Sequence, residues 1–279
     1  MGFFKYHGAG NDFILADNRS ATYNLSGDDV RSLCDRHTGI GSDGLMLLEN
    51  SPLKAFSMKF FNPDGSGGMM CGNGGRCIAA FALSLGILPG PDGHMHFDAP
   101  DGPHEAIFPE YHGGSDAVAK TVLVRLKMKD VPAIKVFPEL KACFLDTGTR
   151  HLVKFVSSLK DYPVAEQGAR LRHDPHFSPQ GVNVNFIESS SGGLAIRTFE
   201  KGVEAETLSC GTGIVASALA AYSQGIAAKK GSDGRVECSV SAAIETLKVD
   251  FLPSGSGESF SASDIWLTGS ATKICSIEI

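Results

Sequence analysis

Two stretches of the chain, CGNGGRCIAAFALSLGI (71–87) and CGTGIVASALAAYSQGI (210–226), are identical at eight of 17 positions without a gap. They lie 139 residues apart, close to half of the 279-residue chain. The same offset carries Glu49, which ends GLMLLE, onto Glu188, which ends VNVNFIE. Each copy reads as strand, strand, glycine-rich loop, Cys-Gly-x-Gly, helix and a Gly-Ile stop. A period this long does not describe a solenoid. It describes two similar domains, and the length allows two of ordinary size. The fold class expected is α/β (α+β), two pseudo-symmetric halves each built as strands around a helix.

The remaining pattern agrees with short strands and few helices. FSMKFFN (56–62), TVLVRLKM (121–128), VNVNFIE (182–188), LAIRTFE (194–200) and TLKVDFL (246–252) are β-branched or aromatic with partial alternation. GDDVRSLCDRH (27–37) reads as a helix with Asp28 or Asp29 as N-cap. The two repeated helices are expected to begin just after Cys71 and Cys210 and to end at the glycines Gly86 and Gly225.

A cysteine that opens a helix sits where backbone N–H groups and the helix dipole stabilise negative charge. An ordinary thiol has a pKa of roughly 8.5. Bringing it to about 7 takes about 2 kcal/mol, and a helix end supplies ~0.3–1, at most ~2 kcal/mol. A hydrogen-bonding partner is therefore expected beside each cysteine. The flanking glycines let backbone amides approach a bound anion closely. Two such helix starts acting on one substrate can hold its carboxylate and present a thiol or thiolate to either side of the adjoining carbon. One sulfur then removes a proton, the other returns one from the opposite face, and the stereocentre inverts. Such a pair titrates as one coupled system.

Other chemistries fit less well. Zinc wants paired ligands such as C-x₂-C, whereas Cys71 and Cys210 each stand alone in a loop, so no metal is expected. GAGND (8–12) and GIGSDG (39–44) lack the full dinucleotide spacing. Cys34, Cys77, Cys143, Cys238 and Cys275 read as small core residues. Seven cysteines is an odd count that argues against a secreted disulfide framework, so a cytoplasmic location is expected. A net charge of −6 without a basic run makes nucleic acid or an acidic membrane an unsuitable partner. The longest apolar run, CIAAFALSLGIL (77–88), is too short to span a bilayer.

HGAGNDF at the N-terminus, FNPDG…CGNGGRC in the first half, GVEAETLSCGTG in the second and the closing IWLTGSA resemble the diaminopimelate epimerase family. The resemblance runs through nearly the whole chain. It implies cofactor-independent, two-base epimerisation of LL-2,6-diaminopimelate to the meso form, for lysine and peptidoglycan synthesis, with no pyridoxal phosphate. It also implies strand-rich, barrel-like domains around a central helix, bounded at 1–117 plus 262–279 and 118–261, with the active site between them. The partners it implies are the small-molecule substrate and, in a homodimer, a second copy of the chain. Carried across by motif position, Cys71 and Cys210 are the acid–base pair. His151 is expected beside the first and Glu200 beside the second. The amides of Gly72, Asn73, Gly211 and Thr212 are expected to hold the carboxylate at the reacting centre. Asn11, Asn62, Asn183 and Lys201 are expected to contact the rest of the substrate.

The chain departs from the most familiar family pattern at Thr149-Arg150-His151, where Asn-Pro-His is usual, at Gly44, and at Lys201, where an arginine would bind a distal carboxylate bidentately. Two alternatives stay open at this level. One is a racemase or epimerase of another amino acid, such as a proline derivative. The other is a non-catalytic module that senses oxidation through a Cys71–Cys210 disulfide. Exchange of a C–H bond with solvent separates them from the main reading.

Overall fold

A computed structural model describes residues 2–68, 71–111, 120–190, 192–226 and 229–278. The chain divides into two compact units, Met1–Leu126 with Gly269–Ile279, and Lys127–Thr268. The expected first boundary near 117 lies outside the described residues, and the last strand changes units between Thr268 and Gly269 rather than near 262.

The first unit runs β1 (Gly2–Gly8), β2 (Asn11–Asp17), α1 (Gly27–Cys34), β3 (Leu45–Glu49), β4 (Phe56–Phe61), α2 (Gly72–Ser84), β5 (Met95–Ala99), β6 (Gly102–Ile107) and β7 (Thr121–Lys127). Each of these strands pairs with the next, and β2–β3 and β4–β5 are the parallel pairs. The last strand of the chain pairs with both β7 and β1, which closes an eight-stranded ring. A closed ring leaves no strand edge to template aggregation. The helix it wraps is α2, buried from Gly72 through Leu83. The opposite face of β1–β3 carries Phe3, Ile14, Ala16, Leu45 and Leu47, which pack on Val30 and Cys34 of α1. Strands covered on both faces need continuous apolar runs, which is why FILA (13–16) does not alternate.

The second unit repeats the plan with β8 (Lys135–Phe137), β9 (Ala142–Asp146), β10 (Arg150–Phe155), α3 (Val164–Arg172), β11 (Asn183–Ser190), β12 (Gly193–Glu200), β13 (Ala205–Thr207), α4 (Gly211–Ser223), β14 (Lys229–Lys230), β15 (Val236–Ser241), β16 (Thr246–Ser254) and β17 (Ser261–Glu278). The row β8–β9–β10–β11–β12–β15–β16–β17 surrounds α4, whose residues Gly213–Ala221 are buried. An isolated bridge between Val131 and Ala262 ties the stretch before β8 to β17. Leu152, Val184, Phe186 and Phe199 face outward onto Val164 and Leu171 of α3. Among the described residues no helix is long and apolar enough to cross a membrane.

Both repeated helices end as expected. Gly86 and Gly225 have φ of +80° and +72°, and Ile87 and Ile226 return N–H bonds to Ala82 and Ala221. This is the six-to-one closure for which glycine carries no Cβ penalty. Two local expectations are corrected. The N-cap of α1 is Ser26, and Asp29 is its capping-box partner rather than the cap; the helix stops at Cys34 instead of reaching His37. Cys275 is exposed, unlike Cys34, Cys77, Cys143 and Cys238. Its stretch of β17 runs past the last pairing with β7, at Thr272, and keeps only β1 as a neighbour.

Candidate active site

In the first unit, Cys71 is the N-cap of α2, with extended φ/ψ of −115°/155°. Its sulfur accepts the Gly74 N–H at 3.2 Å, and its thiol donates to Asn11 Oδ1 at 3.9 Å. The first intrahelical bond runs from Gly75 N–H to Cys71 O at 2.8 Å. The amides of Gly72 and Asn73 therefore lie in the first turn, ahead of the helix's own bonding, where an anion is stabilised.

Asn11 opens β2, directly after the Ala9-Gly10 turn in which both residues have positive φ. Its Nδ2 donates to Asp43 Oδ2 at 2.7 Å, which turns Oδ1 toward Cys71 and toward Asn73 Nδ2, at 3.4 Å. Asp43 is itself held by Arg36 at 2.6 Å, and Arg36 and Lys5 both grip Asp12 at 2.7 Å. Burial alone would raise the Asp12 pKa, but the bonds from Arg36 and Lys5 outweigh it and bring the carboxyl down to about 2. Asn73 Oδ1 accepts from Arg76 at 3.0 Å, and Arg76, fully buried, also donates to Gly72 O and Ser270 O. Asn62 lies in the loop after β4, where its Nδ2 donates to Ser66 Oγ at 3.0 Å and Gly67 O at 3.3 Å.

In the second unit, Cys210 precedes α4 with φ/ψ of −121°/110° and does not cap it through its side chain. Its sulfur lies 3.5 Å from Thr212 Oγ1. His151, completely buried on β10, places Nε2 at 3.0 Å from that same hydroxyl and at 2.8 Å from Thr149 Oγ1. Burial pushes the imidazole pKa down to about 3 against the opposing pull of Asp146, so His151 is neutral. Thr147 Oγ1 donates to Thr212 O at 3.0 Å, tying β9 to the start of α4.

Asn183 opens β11 and binds neighbouring strand ends: its Oδ1 accepts the Lys201 N–H at 2.9 Å and its Nδ2 donates to Arg150 O at 3.3 Å. Glu200 ends β12 and accepts from Thr207 at 2.9 Å, while Lys201 is exposed in the turn that follows. Gly211 is buried and Thr212 half-buried in the first turn of α4.

Thus Cys71, Asn11, Gly72 and Asn73 come together in the first unit, and Cys210, Gly211, Thr212 and His151 in the second. Asn62 is engaged by its own loop. The other thiols differ in character: burial raises Cys34 and pushes Cys143 and Cys238 up to about 11. Such thiols are inert at neutral pH. Asp92, His94 and His96 bring potential ligand atoms within 4.8 Å of one another. Those groups pair off instead, His96 with Asp92 at 3.0 Å and His94 with Glu105.

Sequence reasoning passed over Arg76, Asp43, Arg36 and Asn185. Two of these carried a readable signal. Arg76 stands where the second copy has Val215, a charge inside an otherwise small and apolar helix. Asn185 follows Asn183 by two in an apolar strand, so both project from one face.

A family model described as diaminopimelate epimerase matches residues 3–102 and 143–249. Curated proteins named diaminopimelate epimerase include one from Chlorobaculum tepidum, 43% identical over 78% of this chain and 82% of that protein. Another, from Aquifex aeolicus, is 35% identical over 98% of this chain and 96% of its own length. Among solved structures, a Bacillus anthracis phenazine biosynthesis protein of the PhzF family superposes with a TM-score of 0.72 at 14% identity, covering 100% of this chain and 98% of that one. A hydroxyproline epimerase from Agrobacterium vitis superposes at 0.66 with 15% identity, covering 99% and 91%. At such identities these two describe the shared fold alone.

Proposed function

The chain belongs to the diaminopimelate epimerase family, and we propose that it interconverts LL- and meso-2,6-diaminopimelate with Cys71 and Cys210 as its acid–base pair. The observation that carries the reading is the duplication: two helices, each opened by Cys-Gly-x-Gly, in a chain of this family. In the reaction the thiolate of one cysteine takes the α-hydrogen, and the thiol of the other gives a proton to the opposite face of the carbanion. The net change is one inverted centre, with the two sulfurs exchanging protonation states.

Carboxylate binding by the amides of Gly72, Asn73, Gly211 and Thr212 stabilises the enolate-like charge as it builds up. Asn11, Asn62, Asn183 and Lys201 are assigned to the rest of the substrate. His151 and Glu200 are assigned to tuning the cysteines. Neither an oxidant nor an electron sink is required, since no electrons change hands. The product, meso-diaminopimelate, serves lysine and peptidoglycan synthesis.

The test is turnover in D₂O of reduced protein with LL-diaminopimelate and no added cofactor, followed by NMR. Meso product carrying one α-deuterium is expected, and neither Cys71→Ala nor Cys210→Ala should form it. No deuterium incorporation by the reduced wild-type chain would overturn the assignment. Proline analogues would then be the next substrates to try.

A further inference from the structure

We propose that Asn185 is a positioning residue: it holds His151 in the tautomer that turns the Thr212 hydroxyl into a hydrogen-bond donor to Cys210. The proposal rests on the reading of Cys210 as one of the two acid–base groups, but its test does not.

The argument begins from an atom that can only accept. The Leu152 carbonyl lies 3.4 Å from Asn185 Nδ2, so the amide nitrogen and not its oxygen faces that side. The amide oxygen accepts from Thr198 Oγ1 at 3.0 Å on the other side. With the orientation settled, Nδ2 also donates to His151 Nδ1 at 3.0 Å. Nδ1 must then be the lone-pair nitrogen, and in a neutral ring the proton resides on Nε2.

From Nε2 the polarity propagates outward. Nε2, Thr149 Oγ1 and Thr212 Oγ1 form a triangle with sides of 2.8, 3.0 and 3.0 Å. Because Nε2–H donates, the two hydroxyls receive protons from inside the triangle. Thr212 is left to direct its own proton to Cys210 Sγ, 3.5 Å away. With the opposite tautomer Nε2 would accept from a hydroxyl, and the sulfur would lose its donor. A donor of this kind favours the thiolate over the thiol. Asp146, on β9, is the charged group that acts on the imidazole and pulls toward protonation, while burial keeps the ring neutral.

The first unit makes the comparison internal. Met46 pairs with Leu15, and Asn185 pairs with Val153, in equivalent parallel ladders. Met46 is therefore the counterpart of Asn185, and Phe13 that of His151. At α2, a Cβ on Gly74 would meet Met46 Sδ at 3.4 Å and the Phe13 ring at 3.6 Å. At α4, a Cβ on Gly213 would meet Asn185 Oδ1 at 2.4 Å. Beneath two nearly identical helix starts lie an apolar pair and a polar relay. Cys71 draws its bond from a backbone N–H, whereas Cys210 draws it from a hydroxyl whose direction is set three side chains away.

The test has two arms. Nitrogen-15 NMR of the wild-type chain should find His151 Nε2 protonated and Nδ1 bare at neutral pH. Iodoacetamide alkylation of Cys210 would be followed against pH by mass spectrometry, with Cys71 in the same digest as control. Thr212→Val and Asn185→Met should each slow Cys210 alkylation at pH 7 by about tenfold, with the midpoint about one unit higher. Thr212→Ser should restore the wild-type profile, and Cys71 should not move. A protonated Nδ1 in the wild type, or an unshifted Cys210 in Thr212→Val, would overturn the relay. Neither result depends on Asn185→Met folding. A shifted Cys210 in a chain that never turns over diaminopimelate would leave the relay standing and defeat the functional reading instead.

Discussion

The amide nitrogen of Asn11 donates to the carboxylate of Asp43 at 2.7 Å, and this bond decides which end of Asn11 faces Cys71. Free to rotate, the amide would present its nitrogen and oxygen to the cysteine side about equally. Asp43→Ala is expected to lower kcat/KM for LL-diaminopimelate by about tenfold, the equivalent of one lost charge-assisted bond. Stability should change by less than about 1 kcal/mol, because the Asp43 side chain is 42% exposed. Asp43→Asn retains an acceptor and should fall between the two. Steady-state kinetics that match the wild type in Asp43→Ala would remove Asp43 from the positioning of Asn11.

Gly74 and Gly213 occupy the same place in the repeat and should respond differently to a methyl group. At Gly213 the new Cβ would lie 2.4 Å from Asn185 Oδ1, inside a buried region that cannot open. Overpacking of this kind costs about 1–3 kcal/mol. At Gly74 the nearest atoms are at 3.3 and 3.4 Å, and the helix gains roughly 0.5–1 kcal/mol from losing a glycine. Urea denaturation should therefore find Gly213→Ala clearly destabilised and Gly74→Ala near neutral. Equal midpoints for the two variants would contradict the asymmetry of the packing.

Acid should unfold the protein in two stages. His151 has a folded pKa lowered from 6.5 to about 3, so the unfolded chain binds the extra proton first. The stability contributed by its neutral, buried ring is complete above about 6.5 and is lost as the pH falls toward 3. Asp12, lowered from 3.8 to about 2, contributes stability that is present above its unfolded pKa and disappears as the pH falls through 2. Between about pH 4 and 6 the slope from His151 corresponds to one proton, about 1.4 kcal/mol per pH unit. Denaturant titrations across that range should give a slope smaller by this amount in His151→Gln. Parallel slopes would mean that the ring is protonated in the native state.

Much of the fold was legible because its determinants are local. Strand identity in 56–62 and 121–128 followed from β-branched and aromatic content, and the structure places β4 and β7 there. The helix stops at Gly86 and Gly225 followed from a backbone conformation that glycine adopts without penalty. The cap of α1 was missed because Ser26, Asp28 and Asp29 are all competent caps by chemistry, and only the reciprocal Ser26–Asp29 geometry chooses among them. Cys275 was misread for a related reason. Its residue type favours burial, but exposure depends on how far the neighbouring strand extends.

By itself the sequence determined that there are two halves, that a cysteine opens the long helix of each, and that glycines surround both. These are consequences of residue type and spacing along a single segment. What lies under each cysteine was decided by tertiary structure alone. Asn11 reaches Cys71 across 60 residues, and His151 reaches Thr212 across 61. Parallel ladder register, not periodicity, puts Phe13 and Met46 at one helix start and His151 and Asn185 at the other. A repeat in sequence specifies equal backbones, and the side chains that distinguish their chemistry come from strands the repeat does not constrain.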